Sequence, residues 1–308
     1  VTRLVLVHGR DNQGLDADVL DRTWTAVLGA GLAAAGSDLA LHDDDTSFVF
    51  YGDTLVGLVA GDADPPPVTV HTLAALPDDE LAFVAAVAEE VLRGTGARVP
   101  ARPEGAGTGE GTGSGADVGA WLNLLLAALD RYVPGLSGAV VVLLARDVWA
   151  YLHDDAVRAT IDDAVAAAIP TDGPAVVVAH SLGSVVAYSV LREHPDAARW
   201  DVPLLLTLGS PLAIRAIRGV LATRAALRVP APVRRWVAVR DRRDALALHG
   251  LGPDAFPLDP ATPAIEDLVV ANAAPGHHAA AVLLADGSPA GYLALPEVAG
   301  AVAAALDG

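Results

Sequence analysis

The sequence predicts an α/β protein, with a mostly parallel sheet of about six strands and helices on both faces. Three observations carry this expectation. Six short apolar runs rich in Val and Leu recur along the chain. The segments between them space their apolar residues at helical intervals, so strand and helix alternate as parallel crossovers require. Polar residues gather just after the C-terminal ends of the runs, the edge at which open parallel sheets bind ligands.

The first run, Arg3-Leu4-Val5-Leu6-Val7, enters a polar turn, His8-Gly9-Arg10-Asp11. From Asp18 to Ala35 the residues Val19, Leu20, Trp24, Val27, Leu28 and Leu32 form one helical stripe, and Gly36 stops it. A second strand is expected over Ser47 to Tyr51, ending at Tyr51-Gly52-Asp53. After Pro65-Pro66-Pro67, an amphipathic helix is expected from about Asp78 to Arg93. Between Gly94 and Ala116 glycine dominates and periodicity vanishes, which reads as a mobile loop. It lacks the Gly-Lys-Ser/Thr ending of a phosphate-binding loop.

Asp117 to Tyr132 and Leu136 to Leu152 are strongly apolar, as suits helices packed on helices. Another helix, Asp154 to Ile169, opens with Asp154-Asp155 in its dipole-favoured first turn, so His153-Asp154-Asp155 reads as capping. Ala175 to Val178 is a buried parallel strand leading to Ser181, and Ser184 to Leu191 is a packed helix. Leu204 to Leu208 is the next strand, followed by Gly209-Ser210-Pro211 and a helix over Ala213 to Leu221. Arg235 to Val239 and Asp267 to Ala271 complete the strands, and a helix from about Pro296 to Leu306 closes the chain.

Composition bounds the function. At 308 residues and 53% hydrophobic content there is ample material for a core. With no cysteine, disulfides, thiolate metal sites and cysteine chemistry are excluded. The formal charge of -18, from 38 acidic and 20 basic residues with no lysine, argues against a nucleic-acid partner. The longest apolar stretch, around Ala139 to Ala145, is too short to span a bilayer, and no charged n-region precedes an apolar h-region at the start. A soluble, cytoplasmic protein without stable membrane insertion is the expectation. His42-Asp43-Asp44-Asp45 reads as a solvated turn, and no metal site is expected.

The chemistry centres on Ala179-His180-Ser181-Leu182-Gly183. A serine on a strand-to-helix turn has its hydroxyl lifted clear of the sheet, and the following helix N-terminus offers N–H groups to a developing oxyanion. Such a serine needs a general base, and the base needs a carboxylate to orient it. Downstream, Asp241 and Asp244 follow the fifth strand, and His277 and His278 follow the sixth.

This pattern resembles the nucleophile elbow of the α/β-hydrolase family, with Ala179 where the common motif has its first glycine. The resemblance runs loosely from Arg3 to Asn123 and well from Ala164 to Ala305, leaving Gly94 to Ala116 unmatched. Asp244-Ala245-Leu246-Ala247 resembles the segment after the acid in serine esterases and lipases, and the spacing from Asn272 to His278 resembles relatives with the catalytic histidine there. The resemblance therefore implies Ser181, His278 and Asp244 as a catalytic triad, with Asp241 and His277 as alternates. It also implies an oxyanion hole from the Leu182 and Arg10 amides. His8, Gly9, Tyr51 and His180, at the same edge of the sheet, are expected to form the pocket. Gly209-Ser210-Pro211-Leu212 resembles a structural segment of lipase-like members.

The antiparallel strands that open many members are missing, so the sheet is expected to be reduced. The organisation expected is one domain over 1–308, with 77–153 as a helical cap or lid insertion containing the Gly-rich loop 94–116.

The activity implied is hydrolysis of a carboxylic ester or thioester through an acyl-enzyme, without a cofactor. The apolar segments from Asp117 to Leu152 favour an apolar acyl substrate. Two alternatives stay open: an acyltransferase or cyclase using the same three residues, or a non-catalytic small-molecule binding protein on the same fold. Nothing in the sequence specifies an oligomer.

Overall fold

The structure is a computed structural model that describes residues 1–9, 16–52, 55, 73, 76–102, 115–133, 135–258 and 264–308. Six strands form one sheet: β1 (Arg3–Val7), β2 (Thr46–Val49), β3 (Pro174–His180), β4 (Asp201–Leu208), β5 (Trp236–Asp241) and β6 (Glu266–Val270). Their order is β2-β1-β3-β4-β5-β6, and every neighbouring pair is parallel. The direction of winding reverses between β1 and β3. At such a reversal the loops leaving the two carboxyl ends diverge and open a crevice between them.

Strand alternation feeds two cores. Val5, Val7, Ala175, Val177, Ala179, Leu205 and Ala238 face one side of the sheet. Leu4, Leu6, Val176, Val178, Leu204, Leu206, Val237 and Val239 face the other, where α1 (Ala17–Ala34) packs with the C-terminal helix α8 (Pro296–Leu306). Almost all of these side chains are fully buried, each valine or leucine contributing about 1.5–3 kcal/mol by leaving water.

The first side carries α5 (Asp155–Ala168), α6 (Leu182–Glu193) and α7 (Arg215–Arg224), with α2 (Asp78–Gly94), α3 (Gly115–Tyr132) and α4 (Gly138–His153) packed on them and on one another. Polar bonds tie three of these helices. Arg158 of α5 bridges Asp162 (3.1 Å) and Glu193 of α6 (2.6 Å), while the Tyr151 hydroxyl of α4 donates to Asp162 (2.6 Å). Asp154 ends α4 and caps α5, its Oδ1 accepting from Ala156 N (2.8 Å) and Val157 N (3.1 Å).

Several boundaries differ from the sequence expectation. β2 ends at Val49 because the N–H of Tyr51 leaves the ladder and donates to His8 Nε2 at 3.0 Å. Pro211–Ala213 is a short 3-10 turn capped by Ser210, so the helix expected from Ala213 begins at Arg215.

The expected loop 94–116 is shorter at both ends. Gly94 is the last residue of α2, Ala97 and Val99 pack against the core, Pro100 O accepts from Trp121 Nε1 (3.2 Å), and α3 starts at Gly115. Residues 103–114 lie outside the described residues. A hairpin of β7 (Val282–Leu283) and β8 (Pro289–Ala290) was not expected, since two-residue strands are too short to show alternation. Among the described residues, no helix is long and apolar enough to cross a membrane.

Candidate active site

Ser181 stands between β3 and α6 with φ 51° and ψ -124°, a region that L-residues rarely occupy. Its N–H donates to Leu208 O at the end of β4 (3.0 Å), and its own carbonyl accepts from Ser184 N (2.9 Å) and Ser184 Oγ (2.5 Å). Since a serine has one hydroxyl proton, the 2.6 Å contact between Ser184 and Ser210 must use the proton of Ser210.

Small residues let the turn approach β1. A Cβ on Gly183 would lie 2.3 Å from His8 O, and one on Gly9 would lie 2.8 Å from Ser181 Cβ. The turns after β1 and β3 therefore meet at the crevice where the winding reverses.

The loops after β5 and β6 bring Asp244 and His278 to Ser181. The Ser181 hydroxyl and His278 Nε2 are 3.0 Å apart, and His278 Nδ1 lies 3.0 and 2.9 Å from the two carboxylate oxygens of Asp244. Asp244 Oδ1 also accepts from Leu246 N (3.0 Å), and Oδ2 from the Tyr292 hydroxyl (2.7 Å). The His278 loop is fastened by buried Asn272, whose Nδ2 donates to His277 O (3.1 Å) and Ala279 O (3.0 Å). Exposure differs along the row: Ser181 is 2% exposed, while the His278 side chain is 24% exposed and that of Asp244 is 0%.

The alternates go elsewhere. The Asp241 carboxylate accepts from Arg243 (Nη2 at 2.6 Å) and from Asn272 N (2.7 Å), and His277 Nδ1 donates to Asn272 O (2.8 Å). Neither is brought to Ser181.

Electrostatics follow from burial and partners. Burial alone raises the Asp244 carboxyl, but the charge and hydrogen bond of His278, the Tyr292 hydroxyl and the Leu246 N–H together hold it below the ordinary aspartate value. Burial lowers His180 to about 3, helped by the neighbouring His278. Burial likewise lowers His8 to about 4, against a backbone hydrogen bond to Gly9 that raises it.

Both rings are thus neutral near pH 7, and their partners assign the tautomers. His180 donates from Nε2 to His278 O (2.7 Å), and its ring centroid lies 4.7 Å from that of His278. His8 accepts at Nε2 from Tyr51 N, so its proton sits on Nδ1 beside Gly9 O. Tyr51 stacks on His8 at 4.3 Å and donates its hydroxyl to His8 O at 2.5 Å. This pair braces the turn after β1.

As the first residue of α6, Leu182 carries an N–H without an acceptor inside the helix. Arg10 lies outside the described residues.

Sequence reasoning missed Tyr292, which carries no local signal because its hydroxyl acts on residues distant in sequence. It read Gly209 only as part of a structural segment; at φ 55°, this glycine leaves room for the Asp244–His278 pair, since a Cβ there would lie 2.9 Å from Asp244 Oδ2 and 3.1 Å from His278 Nδ1. Among the described residues, no group of three or more His, Asp or Glu side chains is placed to hold a metal ion. No family model matches the chain, and no curated protein matches it.

Proposed function

We propose that this chain is a serine hydrolase of the α/β-hydrolase kind, cleaving a carboxylic ester or thioester through an acyl-enzyme. The observation that carries the reading is the hydrogen-bonded row from Ser181 Oγ through His278 to buried Asp244. Nucleophile, base and orienting acid lie within bonding distance at the crevice of the sheet.

Ser181 Oγ attacks the carbonyl carbon while His278 Nε2 takes its proton, and Asp244 stabilises the imidazolium that results. The Leu182 N–H, at the positive end of α6, faces the developing oxyanion, with the Arg10 amide proposed as the second donor. His278 then returns the proton to the departing alkoxide or thiolate. Water, activated by the same nitrogen, releases the acid and restores Ser181. These steps call on no cofactor. The segment 77–153 is proposed to cover an apolar acyl group, a reading that rests on its strongly apolar sequence.

The test is intact-mass spectrometry after exposure to a fluorophosphonate probe. The folded wild type should gain one adduct, and Ser181→Ala should gain none. On p-nitrophenyl esters the same variant should lose at least about a thousandfold in kcat/KM. An unlabelled, folded wild type, or an adduct that survives in Ser181→Ala, would overturn the proposal.

A further inference from the structure

Tyr292 bonds the Asp244 carboxylate and is tied to the main chain just beyond His278. Its hydroxyl donates to Asp244 Oδ2 at 2.7 Å and accepts from Asp241 N at 3.0 Å, so the side chain is fastened to the loop that carries the acid. Its backbone N–H donates to Ala279 O (3.1 Å), and the next residue, Leu293, donates to Ala280 O (2.9 Å), so its main chain is fastened just beyond the base. The ring is fully buried. A phenylalanine would fill the same space without the desolvation cost of a hydroxyl, so the polar atom is there for its two hydrogen bonds.

We propose that Tyr292 is a positioning residue: its hydroxyl holds the Asp244 carboxylate against His278 and takes a share of that carboxylate's hydrogen bonding. This goes beyond the serine-hydrolase reading and rests on it for the kinetic readout alone.

The consequence has a sign. Without the Tyr292 hydroxyl, the carboxylate concentrates more of its charge on its remaining donors, the Leu246 N–H and the His278 Nδ1–H, and holds the imidazolium more tightly. The other groups around the pair offer no substitute. His180 and His8 are neutral, Asp241 is engaged by Arg243 and Asn272, and His277 donates to Asn272 O. Tyr292→Phe should therefore raise the proton affinity of His278.

The experiment titrates the imidazole Cε1–H resonances of the nine histidines by NMR, with that of His278 assigned by its loss in His278→Gln. In Tyr292→Phe the proton affinity of His278 should rise about threefold to tenfold, and the acid limb of kcat/KM should move to higher pH by the same factor. kcat should fall about tenfold with KM within about twofold. Placing 3-fluorotyrosine at 292 keeps the shape and strengthens the donor, so the affinity of His278 should fall.

An unchanged or lowered titration in folded Tyr292→Phe overturns the proposal. Should that variant not fold, the fluorotyrosine protein decides: a downward shift supports the proposal and no shift overturns it. Shifted titrations without ester turnover in any folded protein would support the role of Tyr292 and overturn the hydrolase reading.

Discussion

Ser181 holds a backbone conformation that costs about 1–3 kcal/mol and persists because its surroundings leave no alternative. Its N–H is taken by Leu208 O, its carbonyl by Ser184, and the following turn is pressed onto the end of β1 through Gly183. Gly183→Ala forces a methyl against two main-chain oxygens that no rotamer change can move aside, so it should lower the unfolding free energy by about 2–4 kcal/mol. Gly29, inside α1 with nothing near its added Cβ, is the contrast: Gly29→Ala should raise stability by about 0.5–1 kcal/mol. Urea midpoints of the two variants, read together, separate contact from propensity.

At this scale the sequence was partly legible. Ser181, Asp244 and His278 stand out because their types and order match a known chemistry. Tyr292 does not, because its hydroxyl acts on a carboxylate 48 positions earlier.

Elements were legible where their apolar spacing is long enough to repeat. The helices α1, α2 and α5 begin or end within a residue or two of the expected limits, whereas the β7–β8 hairpin left no pattern. Residues 97–102 form neither helix nor strand, and their hold on the fold is a pair of partly buried residues and one bond from Trp121 to Pro100 O, contacts supplied from elsewhere in the chain.

Asp154 belongs to this scale as well, since one side chain both terminates α4 and caps α5. Asp154→Ala should cost about 1 kcal/mol and Asp154→Asn much less, because asparagine caps as well as aspartate. Thermal melting measures the loss, and ester turnover should be unchanged in both variants.

For the whole molecule, the buried neutral histidines tie stability to pH. The unfolded chain binds protons at both sites near pH 6.5, whereas the fold resists until about 4 at His8 and about 3 at His180. Below pH 6.5 the unfolded state therefore holds more protons. Stability is complete above that value and falls as pH drops toward 4, by about 1–3 kcal/mol per pH unit at its steepest. Asp244, held low, extends the loss below the ordinary aspartate range near 3.9. Urea midpoints between pH 7.5 and 4.5 should show this decline, and His180→Gln should flatten it; a flat wild-type profile would contradict the buried neutral state. Surface ion pairs add little, since those such as Arg235 with Glu266 at the β6 edge are exposed and worth at most about 1 kcal/mol each.

Local sequence carries the α/β class, the six strands of the sheet, and the placing of a serine after the third strand, acidic residues at the end of the fifth and histidines after the sixth. These are local properties, written in apolar periodicity and turn composition. The folded chain shows what local spacing does not: Asp244 meets His278 while Asp241 and His277 turn elsewhere, the winding reverses between β1 and β3, and a tyrosine near the C-terminal helix backs Asp244. The direction of a loop side chain is set by contacts across the fold, such as those of Asn272, Arg243 and Tyr292, and no local spacing encodes them.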